Sequence, residues 1–358
     1  NAVTVTLSHA GEGRRAEIVL TGRPALTAAL RELALADFLR RTGWDRAKRH
    51  PLAGDASGRR FARLVRAGET AVLLDNPPAL PDGLEPFLVM ARHLRDIGLS
   101  APEVRAEDLA GGFALMEDLG DDLVSRRLSE APETEGALYR LATDVLIRMQ
   151  SQPAPPGLPD LAAEDWAEAA MLALTWYCRG VTGTAQDPAP LQAALTEAIR
   201  RHADGPRVLI HRDFFACNLL LVPRQGIAAV GIIDFQLGQM GQPVYDLVSL
   251  LQDARRDVSP VVQAEMKARF GKGAPGFEAA YAVWGVQRAL RILGIFARLC
   301  LAEGRTDYLP HLPRVLRDLR RNLAHPALSE AKRLCDRLLP NATPEALDKL
   351  RSQCGAFR

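Results

Sequence analysis

The sequence predicts an α+β protein of two lobes, a small antiparallel β-sheet lobe followed by a mostly helical lobe, with a β-hairpin appended at the N-terminus. Three observations carry this. Short apolar runs broken by glycine and proline turns fill residues 51–118. Amphipathic helical stretches dominate from residue 121 onward, and inside them residues 207–236 return to short apolar runs with polar ends. A chain of 358 residues is long enough for two lobes. The boundaries are expected at 1–23 for the hairpin, 24–118 for the sheet lobe and 119–358 for the helical lobe.

Val3, Val5 and Leu7 alternate, as do Ala16, Ile18 and Leu20, around the glycine-rich stretch His9 to Gly13. This is a hairpin pattern. A lone hairpin is marginal, so it must dock on something or have lost its sheet. Pro24 opens a helix to about Arg41, with Leu26, Leu30, Leu33, Leu35, Phe38 and Leu39 as its apolar face and Gly43 at its end. Gly54, Asp55, Ser57, Gly58 and Arg60 lie in a glycine-bearing turn between two strands, rich in backbone N–H groups of the kind that cover phosphates. Thr70 to Leu74 form the next strand and Glu85–Ile97 a helix. Phe113 to Gly120 is a strand that breaks at a glycine, read as the hinge between lobes.

Residues 121–205 are helical, interrupted at 152–157 and 180–190. There Trp176 and Arg179 suit stacking on a sugar face and pairing with an anion. A core tryptophan and a surface arginine fit the same residues. Gln287 to Leu299 is an apolar helix flanked by arginines, expected to pack behind residues 207–236. Leu309 to Leu323 and Leu328 to Leu339 are amphipathic, and the tail is helical at most to Ser352.

The chemistry concentrates in 207–236. Val208 to Ile210 leads as a strand into His211-Arg212-Asp213; Asn218 follows five residues on, then the run Leu219–Val222, a turn, and a second run ending at Asp234-Phe235-Gln236. Such an arrangement suits phosphoryl transfer, in which catalysis is mainly positioning and charge neutralisation. Asp213 is the candidate to orient the attacking hydroxyl. Asn218 and Asp234 supply hard oxygen ligands for Mg²⁺ against phosphates. Asp246, opening the next helix, reads as a structural brace under this loop, or equally as a helix N-cap.

The spacing His-x-Asp-x-x-x-x-Asn, then a strand ending in Asp-Phe, resembles the protein-kinase-like superfamily. "IDF" followed by "YDL" resembles its aminoglycoside phosphotransferase branch, and no Ala-Pro-Glu sequence follows to close a protein-kinase activation segment. The implied fold is bilobal and protein-kinase-like. Under it, residues 54–60 cover nucleotide phosphates, and backbone groups of Met116, Glu117, Asp118 and Leu119 meet adenine. The chain departs from the superfamily in one respect: no lysine lies between Lys48 and Lys267, and Leu74 takes the slot of the usual third-strand lysine. Arg59, Arg60 or Arg63, heavier reliance on Mg²⁺, or a catalytically dead domain are the options this leaves.

Gly54 to Arg60, Asp75-x-Pro-Pro, Trp176-Tyr177, "HRDFFACN", "GIIDFQ", "YDLVSLLQD" and "LRILGIFARL" are together similar to a narrower group. That group is the anomeric N-acetylmuramate/N-acetylglucosamine kinases of peptidoglycan recycling. The resemblance implies ATP and Mg²⁺ as cofactors and a small-molecule amino sugar, phosphorylated on its C1 hydroxyl, as acceptor. Trp176, Arg179 and Gln236 are the implied acceptor contacts, and Arg179, or Arg255 and Arg256, the partners expected for the lactyl carboxylate of muramate. Residues 1–23 resemble the C-terminal strands of the ATPase subunit of the tRNA threonylcarbamoylation machinery, without its Walker A residues. A kinase of another small alcohol, of the aminoglycoside or choline type, and a non-catalytic pseudokinase scaffold linked to tRNA modification stay open.

Net charge of +2 gives no reason to expect a nucleic-acid surface. The five cysteines are scattered without metal-ligand spacing and read as reduced cytosolic thiols. No apolar run reaches the roughly 18 residues of a membrane span, and no signal peptide is apparent. A cytoplasmic monomer is expected. Starting at Asn1 rather than Met, the chain is expected to be a fragment of a longer precursor.

Overall fold

Residues 60–66 and 69–75 mix apolar and charged side chains on either side of Ala67-Gly68, a two-residue hairpin turn in which both residues need positive φ. In the computed structural model of the chain they have it, at 44° and 84°. The structure describes residues 2–8, 15–21, 23–52, 58–78, 80 and 83–357. The chain divides into two units, residues 1–92 with 102–119, and 93–101 with 120–358.

In the first unit, β1 (Ala2–Ser8) and β2 (Arg15–Thr21) form an antiparallel pair. The turn expected at His9 to Gly13 lies outside the described residues. Helix α1 (Arg23–Arg41) precedes β3 (Lys48–Pro51), β4 (Arg60–Arg66) and β5 (Glu69–Asp75). After α2 (Glu85–Asp96) come β6 (Val104–Asp108) and β7 (Phe113–Met116). The sheet is antiparallel in the order β3-β4-β5-β7-β6. Leu35, Phe38 and Leu39 of α1 pack with Trp44, Leu64, Ala71, Leu73, Phe113 and Leu115 as the core. Leu30 and Leu33, expected on the buried face of α1, are exposed instead. Among the described side chains, the apolar residues of α1 that join the core are Leu35, Phe38 and Leu39, so helical periodicity alone overestimates the buried stripe at Leu30 and Leu33.

Leu74, in the slot where a lysine was sought, is fully buried between Phe61 on β4 and Ala114 on β7. The three candidate arginines are committed within the same unit. Arg59 donates to Asn76 Oδ1 at 2.9 Å, Arg60 pairs with Asp75 at 2.7 Å, and Arg63 grips Asp118 through Nε and Nη2 at 2.6 and 2.9 Å.

The second unit begins with α3 (Val124–Glu130), α4 (Glu135–Gln150) and α5 (Ala163–Ala170). A π-helical turn, Ala173–Cys178, runs into α6 (Arg179–Thr182), and α7 (Ala189–His202) follows. Four three-residue strands come next: β8 (Val208–Ile210), β9 (Leu219–Leu221), β10 (Val230–Ile232) and β11 (Gln239–Gly241). They are succeeded by α8 (Val244–Leu251), α9 (Pro260–Gly271), α10 (Phe277–Leu301), α11 (Leu312–Leu323), α12 (Ser329–Leu338) and α13 (Pro344–Ser352).

Helix α10 is apolar nearly all round and is correspondingly buried. Its Trp284 meets Trp166 of α5 and Tyr245 of α8 with ring centroids 5.2 and 5.5 Å apart. Gly294 lets it approach the π-helical turn closely: a Cβ there would stand 2.3 Å from the Leu172 carbonyl carbon. One hairpin was expected around residues 208–234, and the structure has two strand pairs. β9 pairs with β10, whereas β8 pairs with β11, whose Gln-Met-Gly sequence carries no alternating signal.

Candidate active site

The β9–β10 hairpin sets the site, because its open end brings Asn218 and Asp234 together. Ile233 N–H donates to the Asn218 carbonyl at 3.1 Å, closing the ladder just before Asp234. Asn218 then donates through Nδ2 to the Asp213 carbonyl at 2.9 Å and to Asp234 Oδ2 at 3.2 Å. Gln236 donates to the other Asp234 oxygen at 2.6 Å. Asp213, Asn218, Asp234 and Gln236 are thus brought into one cluster by hydrogen bonds between neighbours. Arg212 and Asp234 both sit in the left-handed region, with φ of 76° and 63°. Non-glycine residues persist there only when their surroundings over-determine them, and such residues collect at functional sites.

For Arg212 the constraint is visible. Asp246 on α8, completely buried, accepts the backbone N–H groups of His211 at 2.6 Å and Arg212 at 2.9 Å. It is the brace the sequence suggested, and it caps no helix of its own. Burial pushes its carboxyl up to about 6, against the pull of His211 and of those two N–H donors. His211 is also fully buried and held below the usual imidazole range, mainly by burial. A neutral ring with its proton on Nε2 donates to the Ile233 carbonyl at 3.1 Å and leaves Nδ1 bare, and Nδ1 has no partner in the structure. The histidine thereby ties the loop bearing Asp213 to the residue before Asp234.

The residues present fit a magnesium ion that shares its ligands with phosphates. Among the described residues no group of three or more His, Cys, Asp or Glu side chains comes together as a self-sufficient metal cage. One carboxylate and one amide, both hard oxygen donors, are what Mg²⁺ needs from a protein when phosphates and water complete its octahedron. The Asn218 nitrogen makes both bonds to Asp213 and Asp234, so its oxygen is the atom such an ion would meet.

The other sequence-derived candidates fall elsewhere. The Trp176 ring lies tilted against Phe357 (6.3 Å between ring centroids) and the Arg179 guanidinium lies 5.6 Å from the same ring. These contacts lead to the C-terminal residues and not to Asp213. Met116 is buried in the sheet; the Glu117 N–H is taken by the Glu103 carbonyl at 2.8 Å, and the Asp118 carboxylate by Arg63. Leu119 is the last residue of the first unit. Gly58 and Arg60 are exposed, while Gly54, Asp55 and Ser57 lie outside the described residues. Arg255 rides over the ring of Phe215, two residues past Asp213, at 4.7 Å, whereas Arg256 is paired with Glu135 at 3.2 Å. Sequence reasoning passed over Ser249 and Arg288. The first lies one turn beyond Asp246 on α8, and the second reaches the site from α10.

An α+β chain that gathers Asp213, Asn218 and Asp234 on adjoining loops carries the groups that phosphoryl transfer uses. A profile of the phosphotransferase enzyme family matches residues 48–283, and the chain belongs to that family. It is 35% identical over 356 aligned residues to the N-acetylmuramate/N-acetylglucosamine kinase of Caulobacter vibrioides, covering 87% of this chain and 98% of that one. The N-acetylmuramate/N-acetylglucosamine kinase of Pseudomonas aeruginosa is 31% identical, over 85% of this chain and 92% of its own. Among solved structures, a choline/ethanolamine kinase family protein from Mesorhizobium loti superposes with a TM-score of 0.58 at 16% identity, covering 91% of this chain and 99% of that one. That last likeness is one of fold.

Proposed function

We propose that the protein is an ATP-dependent kinase that phosphorylates the anomeric (C1) hydroxyl of N-acetylmuramate and N-acetylglucosamine in cell-wall recycling. The reading is carried by one observation: the Asp213–Asn218–Asp234 cluster sits in a chain 35% identical, over nearly its whole length, to a kinase of those sugars. The acceptor is a free small molecule. A monomer in the cytoplasm suits that role.

In this reading Asp213 accepts a hydrogen bond from the C1 hydroxyl and takes its proton as the oxygen–phosphorus bond forms and ADP leaves. Asn218 and Asp234 would hold Mg²⁺, which when bound neutralises phosphate charge and orients the transferred group. Gln236 fixes the Asp234 rotamer by its hydrogen bond. His211 and Asp246 keep the loop backbone in place so that Asp213 does not have to be ordered at each turnover. Residues 54–60 and the backbone of Met116 to Leu119 are the proposed nucleotide contacts. Trp176 and Arg179, whose ring and cation contacts are with Phe357, are the weaker candidates for acceptor contacts.

A panel of acceptors, read by ADP release and by NMR of the product, tests this. N-acetylmuramate and N-acetylglucosamine are expected to yield sugar 1-phosphates, and kanamycin and choline nothing. Asp213→Asn is expected to lower turnover by a factor on the order of 10²–10⁴, the scale of a general base. Near-full activity of that variant would refute the assignment.

A further inference from the structure

We propose that Arg288 is the positioning residue of the acceptor base: it orients the Asp213 carboxylate by charge without occupying either of its oxygens. The inference rests on Asp213 being that base. Arg288 projects from α10 and is 5% exposed. Its Nη2 donates to Ser249 Oγ at 2.7 Å and stands 3.8 Å from Asp213 Oδ1, and its buried Nε meets no acceptor.

A buried guanidinium carries five donors and a full charge, and it is expensive to bury unless that charge is compensated. Two carboxylates supply the compensation. One is Asp213, the more exposed. The other is Asp253, 2% exposed, with one oxygen that has no donor and a carboxyl that feels the charge of Arg255 and Arg288. Arg288 hydrogen-bonds to neither. An ion pair built for stability would close to about 2.7–2.9 Å, and this one stops a full bond-contact short.

The gap is what a base requires. Among the described residues no hydrogen bond reaches the Asp213 side chain, so both oxygens remain for an acceptor hydroxyl, while the cation behind them sets their direction. Ser249 explains why Arg288 stays there rather than closing on Asp213. It lies three residues after Asp246 on the same face of α8. That one face therefore holds the loop backbone through Asp246 and the base through Ser249 and Arg288.

The test is a double-mutant cycle on the full chain with N-acetylmuramate and magnesium-ATP, comparing Asp213→Asn, Arg288→Met and the double variant. Arg288→Met is expected to lower kcat by roughly 10–100-fold, the scale of a misplaced catalytic group, and to leave both KM values within about threefold. In the Asp213→Asn background the same change is expected to cost less than about twofold, because a residue that acts through the base has nothing left to act on. Arg288→Lys should recover part of kcat. Ser249→Ala should lower kcat in the same direction by less, and it replaces Arg288→Met in the cycle if that variant does not fold. Effects that multiply across the cycle, or KM values that rise with kcat intact, overturn the proposal while leaving Asp213 as the base. Near-full activity of Asp213→Asn alone removes the base assignment, and this proposal with it.

Discussion

His211 shows how a single side chain couples stability to pH. Burial holds its folded pKa below the ordinary 6.5, with Asp246 and Asp213 pulling the other way. A base whose pKa falls on folding binds fewer protons folded than unfolded, so stability present above pH 6.5 drains away as the pH drops below it. Asp246 works in the opposite sense: its carboxyl, raised from 3.8 to about 6, favours the fold at low pH and loses that contribution as the pH rises through 6. Urea unfolding from pH 7.5 to 5.5 should therefore show a loss of stability that begins near 6.5. In His211→Gln, which keeps a donor toward the Ile233 carbonyl but cannot take a proton, that loss should shrink, the remainder coming from His93 and His311, which burial also holds low. An unchanged slope would mean that another group titrates there. His211 and Asp246 were both picked out in the sequence, since each lies within or next to the stretch 207–236. What it could not give was their bond, because the distance between a loop and a helix face is not written in the spacing.

At the scale of elements, α8 and α10 do the placing. Helix α8 is buried along its whole length, and its Asp246 and Ser249 find their partners inside the protein, in the loop backbone and in Arg288. Helix α10 reaches the π-helical turn only because Gly294 has no side chain. Gly294→Ala improves helix propensity by up to about 1 kcal/mol, but its Cβ would meet the Leu172 backbone, which cannot move aside as a side chain can. The net result should be a loss of about 1–3 kcal/mol, the usual cost of overpacking, measured as a fall in urea midpoint. Gly136→Ala in α4 is the control. Its nearest neighbour is the mobile end of Arg140, so that variant should be slightly more stable. The helical stripe from Gln287 to Leu299 was legible as buried packing. The strand β11 was not, because a three-residue edge pairing needs no alternation of its own.

For the molecule as a whole, ligand linkage is the measurable consequence of the proposed site. Magnesium-ATP at 100 times its dissociation constant stabilises a folded protein that binds it by about 2.7 kcal/mol. The chain should show a rise in Tm with ATP that grows on adding magnesium. Asp234→Ala should keep its own baseline Tm yet lose the magnesium-dependent part. A magnesium effect that survives in Asp234→Ala would put the ion elsewhere. The same comparison separates a working kinase from a scaffold that binds no nucleotide.

The sequence by itself pointed to phosphoryl transfer, because Asp213, Asn218 and Asp234 fall within one short stretch, 213–234, at the ends of short apolar runs. It also determined the α+β order, since the change from strand to helical periodicity is local. Only the tertiary structure decided which side chains from later helices come up to that stretch. Arg288 and Ser249 arrive from later helices, while Trp176 and Arg179, equally plausible in the sequence, turn out to face Phe357. The physical reason is that a side chain's type and spacing specify what it can bond, but burial and packing of whole elements settle which groups come within the few ångströms where bonds are made.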